Sequence, residues 1–134
     1  AEREFAARQP FYQRDFYDKR DYEQDLRWRE IDGELDLFGD QSIVLLPTPG
    51  HTPGHQSAIV ALSRGPVILG GDVSYELAAI RAGRLSAVIW SADAAVASWE
   101  RLEALERERG AEILLSHEPS FRQTMRLAPA LQYE

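Results

Sequence analysis

The sequence predicts a mixed α/β layer arrangement, in which short strands are followed by one long helix and a last strand. Three observations support this prediction. Short apolar runs bounded by Gly and Pro recur between residues 43 and 69, which is typical of buried strands. Residues 92–109 repeat apolar side chains at helical spacing. A further apolar run at residues 111–115 predicts the strand that closes the order.

The first 25 residues are charged and rich in aromatic side chains, and Pro10 is predicted to divide them into two short helices. Phe5, Tyr12 and Phe16 are spaced so that they share one helical face. Two interpretations stay open. The rings either pack against the body of the domain as a surface segment, or they form a cap that lines an apolar pocket on the substrate side.

Residues 26–31 and 34–38, joined by Asp32-Gly33, predict a β-hairpin. Strands are predicted at residues 43–46, 57–62 and 66–69, and the first two are separated by a loop dense in Pro and Gly.

The helix predicted over residues 92–109 has Gly110 in the position of a C-terminal cap. Its predicted buried face consists of four apolar side chains: Val96, Trp99, Leu102 and Leu105. One more short helix is predicted in the tail at residues 121–134.

Composition restricts the classes of function. The chain has 134 residues, 44% hydrophobic and 28% charged, which indicates one globular domain or a piece of one. A net charge of −7 disfavours nucleic-acid binding, and no apolar run is long enough to predict a membrane span. With no cysteine, any metal must bind imidazole, carboxylate or water, and the cytoplasm is the simplest compartment. The chain begins at Ala1 within a predicted helix, which is typical of a processed or truncated chain.

Three polar side chains follow predicted strands. His51 and Asp72 each follow a strand through a glycine-containing turn, and His117 comes almost directly after the last strand. Because strand ends of an α/β sheet meet at one edge, the three side chains are expected to converge there. Two histidines and one carboxylate could hold zinc, or iron with open positions. The alternative is that each histidine is an ordinary hydrogen-bonded loop residue.

The run TPGHTPGH at residues 48–55, then Gly71-Asp72 and Ser116-His117, resembles the later motifs of the metallo-β-lactamase superfamily. The resemblance implies part of an αββα sandwich, with residues 1–134 as the C-terminal portion of one domain and residues 1–25 as a helical cap-like segment.

The resemblance also implies a ligand set for two divalent metal ions, with zinc favoured. His51 would bind the first metal, Asp72 would bridge both, and His117 would bind the second. His55 would orient the loop rather than bind metal.

The superfamily's His-X-His-X-Asp-His motif, which supplies the other ligands, is absent from the sequence. We therefore expect a missing N-terminal half or a partner chain to complete the site. Alone, the chain is expected to bind metal weakly and to have little or no activity. A non-catalytic fragment or split subunit is the alternative interpretation, and a homodimer also stays open.

Tyr75 lies three residues after Asp72, as in N-acyl-homoserine lactone lactonases, which are quorum-quenching enzymes. This resemblance implies hydrolysis of a small ester or lactone by a hydroxide that bridges the two metals. Asp72 would assist proton transfer, and Tyr75 would donate a hydrogen bond to the oxyanion. The alternatives are an ordinary packed tyrosine, a glyoxalase II-like thioester hydrolase or a phosphoester hydrolase.

Overall fold

The computed structural model describes residues 1–8 and 17–119. The described helices are α1 (Glu2–Arg8), α2 (Lys19–Tyr22), α3 (Leu77–Arg81) and α4 (Ala92–Arg109). The described strands are β1 (Leu35–Asp36), β2 (Ile43–Pro47), β3 (Gln56–Leu62), β4 (Gly65–Gly71) and β5 (Glu112–Leu115). The mixed α/β class predicted from the sequence is confirmed.

The strands of the described residues form one five-stranded sheet in the order β1-β2-β3-β4-β5. The first four strands pair antiparallel, whereas β5 pairs parallel to β4. The chain must therefore cross over the sheet between β4 and β5, and it does so through α3 and α4. Because β4 and β5 run in the same direction, the loops that follow them meet at the same edge of the sheet.

The two faces of the sheet differ in burial. Val44, Ile59, Ile68 and Ile113 lie side by side across β2 to β5 and belong to one buried core. Trp99 and Leu102 of α4 are part of the same core, so α4 covers this face. On the other face, Leu69 of β4 is 48% exposed.

Helix α4 has the bounds that the sequence predicted. The Ser91 side chain accepts from the Ala94 N–H at its start, and Gly110 ends it with a φ of 63°. Its buried side chains are Ala95, Ser98, Trp99 and Leu102. The prediction that Val96 belongs to the buried face was wrong, because this side chain is 41% exposed and lies on the far side of Trp99 from Leu102, outside the buried arc.

The predicted hairpin around Asp32-Gly33 was also wrong. Residues 26–31 form no strand, and β1 pairs instead with β2 across the next turn. The Asp36 carboxylate favours that turn because it accepts the N–H groups of Gly39 and Gln41. Trp28 packs below the Arg3 guanidinium, 5.3 Å from the ring centroid, rather than in the sheet.

The N-terminal segment contains helices on both sides of Pro10, as the sequence predicted. Phe11, Tyr12, Phe16 and the helix predicted at 121–134 lie outside the described residues. Within the described ranges, none of the helices has the length and apolar character needed to cross a membrane.

Candidate metal centre

The loop between β2 and β3 is held in place by α4. Ser98 donates to the Pro49 carbonyl at 2.6 Å, and the Arg101 guanidinium donates to the Pro47 carbonyl at 2.8 Å. The Gly50 carbonyl accepts the Trp90 N–H at 2.8 Å. These bonds hold the end of β2 and the start of the loop, so the path of the chain into His51 is fixed by the protein.

His55 lies at the other end of this loop and joins it to the loop after β4. Its Nδ1 donates to the Thr48 carbonyl at 3.0 Å, since a carbonyl can only accept. Its Nε2 then accepts the Asp72 N–H at 3.1 Å. Burial lowers the pKa of His55, which favours this neutral form. Because both ring nitrogens are occupied, the geometry supports an orienting role for His55 rather than metal binding.

Asp72 is brought to the sheet edge by two glycines that permit close packing. A Cβ on Gly70 would lie 2.7 Å from a methyl of Leu115, and one on Gly71 would lie 3.1 Å from His55 Nε2. Gly71 also has a φ of 58°, which disfavours other residues. Its carbonyl accepts the Ser116 N–H at 3.2 Å. The loops that carry Asp72 and His117 are therefore in direct contact.

One ring nitrogen of His51 has no hydrogen-bond partner among the described residues. Its Nδ1 lies 3.2 Å from the Val88 carbonyl and must donate to it, which fixes the tautomer. The lone pair of Nε2 is then available to a metal, in the arrangement common for histidine ligands. His51 lines the same cavity as Asp72.

His117 and Asp72 fit two neighbouring ligands of one cation. His117 Nε2 lies 3.2 Å from Asp72 Oδ1. Tetrahedral zinc holds its nitrogen and oxygen ligands at about 2.0–2.2 Å, which places two of them about 3.3 Å apart. In the part of the chain that is described, no group of three or more His, Cys, Asp or Glu forms a metal site. These residues thus suit part of a coordination shell and not all of it.

Tyr75 lies between the two histidines that the sequence predicted as ligands. Its ring is 4.8 Å from the His117 ring and 6.4 Å from the His51 ring, both in edge-on orientations. Trp99 supports this loop by donating to the Val73 carbonyl at 2.8 Å. At 36% exposure the Tyr75 side chain is accessible to a ligand. All four residues predicted for the site are therefore close together.

A cavity of about 380 Å³ opens beside these residues. His51, His55 and Asp72 form part of its wall. Phe5 and Tyr17 of the N-terminal segment form another part, with their ring centroids 6.0 Å apart. The placement of these two rings favours the pocket-lining interpretation of this segment, at least for its described residues.

Sequence reasoning missed three contributions to this site. The Val88 carbonyl orients His51, and a backbone group leaves no signal in a sequence. Glu118 accepts the Leu77 N–H at 2.8 Å and so ties the His117 loop to the start of α3; its position next to His117 was the available signal. Glu2 bonds to Gly54, which is 52 residues away, and nothing in the sequence indicates this pairing.

Comparisons with known proteins identify the family of the chain. A profile of the metallo-beta-lactamase superfamily matches residues 2–117. An N-acyl homoserine lactonase AttM of Azorhizobium caulinodans is 31% identical over an alignment of 119 positions, which covers 84% of this chain and 45% of that protein. The AttM of Rhizobium johnstonii is 29% identical over an alignment of 135 positions, which covers 96% of this chain and 51% of that protein.

A solved structure of an N-acyl homoserine lactone hydrolase, with the product N-hexanoyl-L-homoserine at its catalytic metal center, is also similar. It superposes with a TM-score of 0.83 at 25% identity and covers 98% of this chain and 49% of that one. The chain thus spans about half the length of the relatives that it matches.

Proposed function

The chain belongs to the metallo-β-lactamase superfamily, and from this membership we propose that it supplies part of the two-metal site of a lactone hydrolase. His51, Asp72 and His117 would hold the two cations, and Asp72 would serve as a ligand to both. The observation that carries this proposal is the convergence of the three side chains at one sheet edge, with His117 Nε2 and Asp72 Oδ1 3.2 Å apart. The proposed substrate class is N-acyl homoserine lactone, because the relatives carry that name.

Two divalent cations, for which zinc is favoured, would supply a water of lowered pKa and an electrophile for the carbonyl oxygen. The chain's own residues would hold and orient the reactants. The His51 and His117 imidazoles would bind the cations through ring nitrogens, and the Asp72 carboxylate would balance charge and take part in proton transfer to the leaving alkoxide. The Tyr75 phenol, beside His117, would donate a hydrogen bond to the oxygen that gains charge when the lactone opens.

Tyr75→Phe tests the proposed role of the phenol. In the protein that carries the complete ligand set, we expect kcat for N-acyl homoserine lactones to fall by roughly a hundredfold, as when one oxyanion donor is lost. Metal content should stay close to that of the unchanged protein, because the phenol is not a ligand. Turnover is measured by acid release on ring opening, and metal content by elemental analysis.

Two further results decide between the alternatives. An Asp72→Asn variant is the positive control, since it should lose both metal and turnover. A substrate panel with a thioester and a phosphoester separates a lactonase from the other hydrolases that the sequence left open. Unchanged lactone turnover in Tyr75→Phe would remove Tyr75 from the mechanism, and a thioester preference would replace the proposed substrate.

We also propose that the exposed sheet face binds a second part of the fold, supplied by preceding polypeptide or by a partner chain. Leu45, Ala58, Leu69 and Leu114 lie side by side across β2 to β5 on this face. Leu69 is 48% exposed although β4 has a neighbour on each side. In an αββα sandwich, such a row packs against the second sheet.

If this proposal is correct, the chain alone should self-associate. Burial of a leucine side chain contributes about 1.5–3 kcal/mol to binding, so Leu69→Arg should weaken the association at least tenfold. Light scattering after size exclusion measures the mass. Leu85→Arg is a matched control, because Leu85 is 43% exposed but lies outside the sheet. A chain that stays monomeric at high concentration would contradict the predicted association.

A further inference from the structure

The N-terminal segment is joined to the metal loop by one carboxylate. Glu2 Oε2 accepts the Gly54 N–H at 2.8 Å, and Glu2 Oε1 accepts the Tyr17 hydroxyl at 2.6 Å. The two residues that it bridges belong to different segments, and Gly54 lies between the two histidines of the loop. We call this set of bonds, formed by Glu2, Tyr17 and Gly54, the Glu2 clasp.

Gly54 packs so closely against Glu2 that there is no room for a side chain at position 54. A Cβ on Gly54 would lie 2.5 Å from the Glu2 Cβ and 2.8 Å from the Glu2 backbone nitrogen. Only glycine therefore allows the backbone of α1 to approach the loop this closely. The glycine is explained by this contact and not by an unusual backbone angle.

The Tyr17 hydroxyl is held as a donor. Burial, followed by the bond to Glu2, raises the pKa of Tyr17 well above its usual value, so that the phenol stays protonated. The clasp thus holds the loop at Gly54, the residue directly after Pro53.

A displacement at Gly54 would reach His51 through a short path. The Thr52 carbonyl accepts the N–H of Gly50 at 3.1 Å and that of His55 at 3.4 Å, which closes residues 50–55 into a compact turn. His51 lies inside this turn. The bonds from α4 hold the turn at its start, whereas the Glu2 clasp holds it at Gly54.

We propose that Glu2 is a positioning residue for the metal loop, which sets the orientation of His51 by fixing Gly54 through its carboxylate. This inference rests on the proposed role of His51 as a ligand. Because Tyr17 also lines the cavity, the same carboxylate fixes the distance between the cavity wall and the loop.

The test compares four variants of this chain by NMR: Glu2→Ala, Glu2→Gln, Tyr17→Phe and Glu4→Ala. Glu4 is the matched control, since it lies on the same helix and bonds to Arg8 rather than to the loop. The measurements are the exchange rate of the Gly54 amide, the ring resonances of His51, and their response to added Zn²⁺.

We expect Glu2→Ala to speed exchange of the Gly54 amide about tenfold or more, as when a charge-assisted bond is lost. It should also shift the His51 ring resonances and weaken their Zn²⁺ response several-fold. Glu2→Gln should recover most of both effects, because its amide oxygen can accept the same N–H. Tyr17→Phe, which removes only the hydroxyl, should give a partial effect in a chain whose fold is retained, whereas Glu4→Ala should match the unchanged chain.

The proposal is overturned if Glu2→Ala and Tyr17→Phe leave Gly54 exchange unchanged. It is also overturned if the exchange rate of the Gly54 amide rises while the His51 ring resonances and their response to Zn²⁺ stay unchanged. Glu2 would then stabilise the loop without orienting His51. If Zn²⁺ shifts no resonance of His51, Asp72 or His117 in the unchanged chain, the metal site itself is wrong. The exchange and ring resonances would still decide whether Glu2 positions the loop.

Discussion

Trp99→Ala should cost about 3–5 kcal/mol of the free energy of unfolding, a large part of the 5–15 kcal/mol typical of a domain. The Trp99 side chain is 5% exposed and belongs to the core between α4 and the sheet. Its ring nitrogen also donates to the Val73 carbonyl at 2.8 Å. The substitution therefore opens a cavity and leaves a buried acceptor unpaired. Since Val73 follows Asp72, the loop of the proposed metal ligand should loosen as well.

Urea denaturation followed by far-ultraviolet circular dichroism measures this loss without using the fluorescence of the residue that is removed. Trp99→Phe separates the two causes, since it keeps an aromatic ring but not the donor, and it should cost about 1–3 kcal/mol. Trp90→Ala is the matched control, because Trp90 is 45% exposed and its change should stay within about 0.5–1 kcal/mol. Equal losses for Trp90 and Trp99 would contradict the placement of Trp99 in the core.

Local signals predicted most of the fold. The helix α4 was predictable because its apolar spacing and the position of Gly110 are both local sequence features. The strands β2 to β5 were predictable because each is a short apolar run with Gly or Pro close to its ends. The prediction of a hairpin at Asp32-Gly33 was wrong for a physical reason. This pair of residues allows a turn, but β1 pairs with β2 instead, and the Asp36 carboxylate stabilises the turn between them.

The candidate site also contains residues that local sequence signals predict and residues that they do not. His51, Asp72 and His117 each follow a strand. Because these strands end at the same edge of the sheet, the proximity of the three residues could be expected from the sequence. Tyr75 was expected only from a family resemblance. Glu2 and the Val88 carbonyl could not be predicted, because each contact depends on how distant segments pack. The proposed ligands can thus be predicted from local sequence patterns, whereas the groups that orient them depend on the tertiary structure.

Gly50→Ala tests whether α4 fixes the metal loop, and we expect it to cost about 2–5 kcal/mol from overpacking and backbone strain together. Gly50 has a φ of 147°. A Cβ at this position would lie 2.5 Å from the Ala95 Cα and 2.7 Å from the Ala95 nitrogen. These are backbone atoms of a helix, so they cannot rotate away as a flexible side chain would. The loop must move instead, and His51 is the next residue along it.

Gly39→Ala isolates the effect of the clash. Gly39 also has a positive φ, 78°, but a Cβ there would meet nothing within 4 Å. It should cost only about 1–2 kcal/mol, the strain of a left-handed residue. The excess loss in Gly50→Ala, measured by urea denaturation of both variants, then reports the contact with α4. Equal losses would mean that the loop shifts freely, and the bonds from Ser98 and Arg101 could not then be what holds His51 in place.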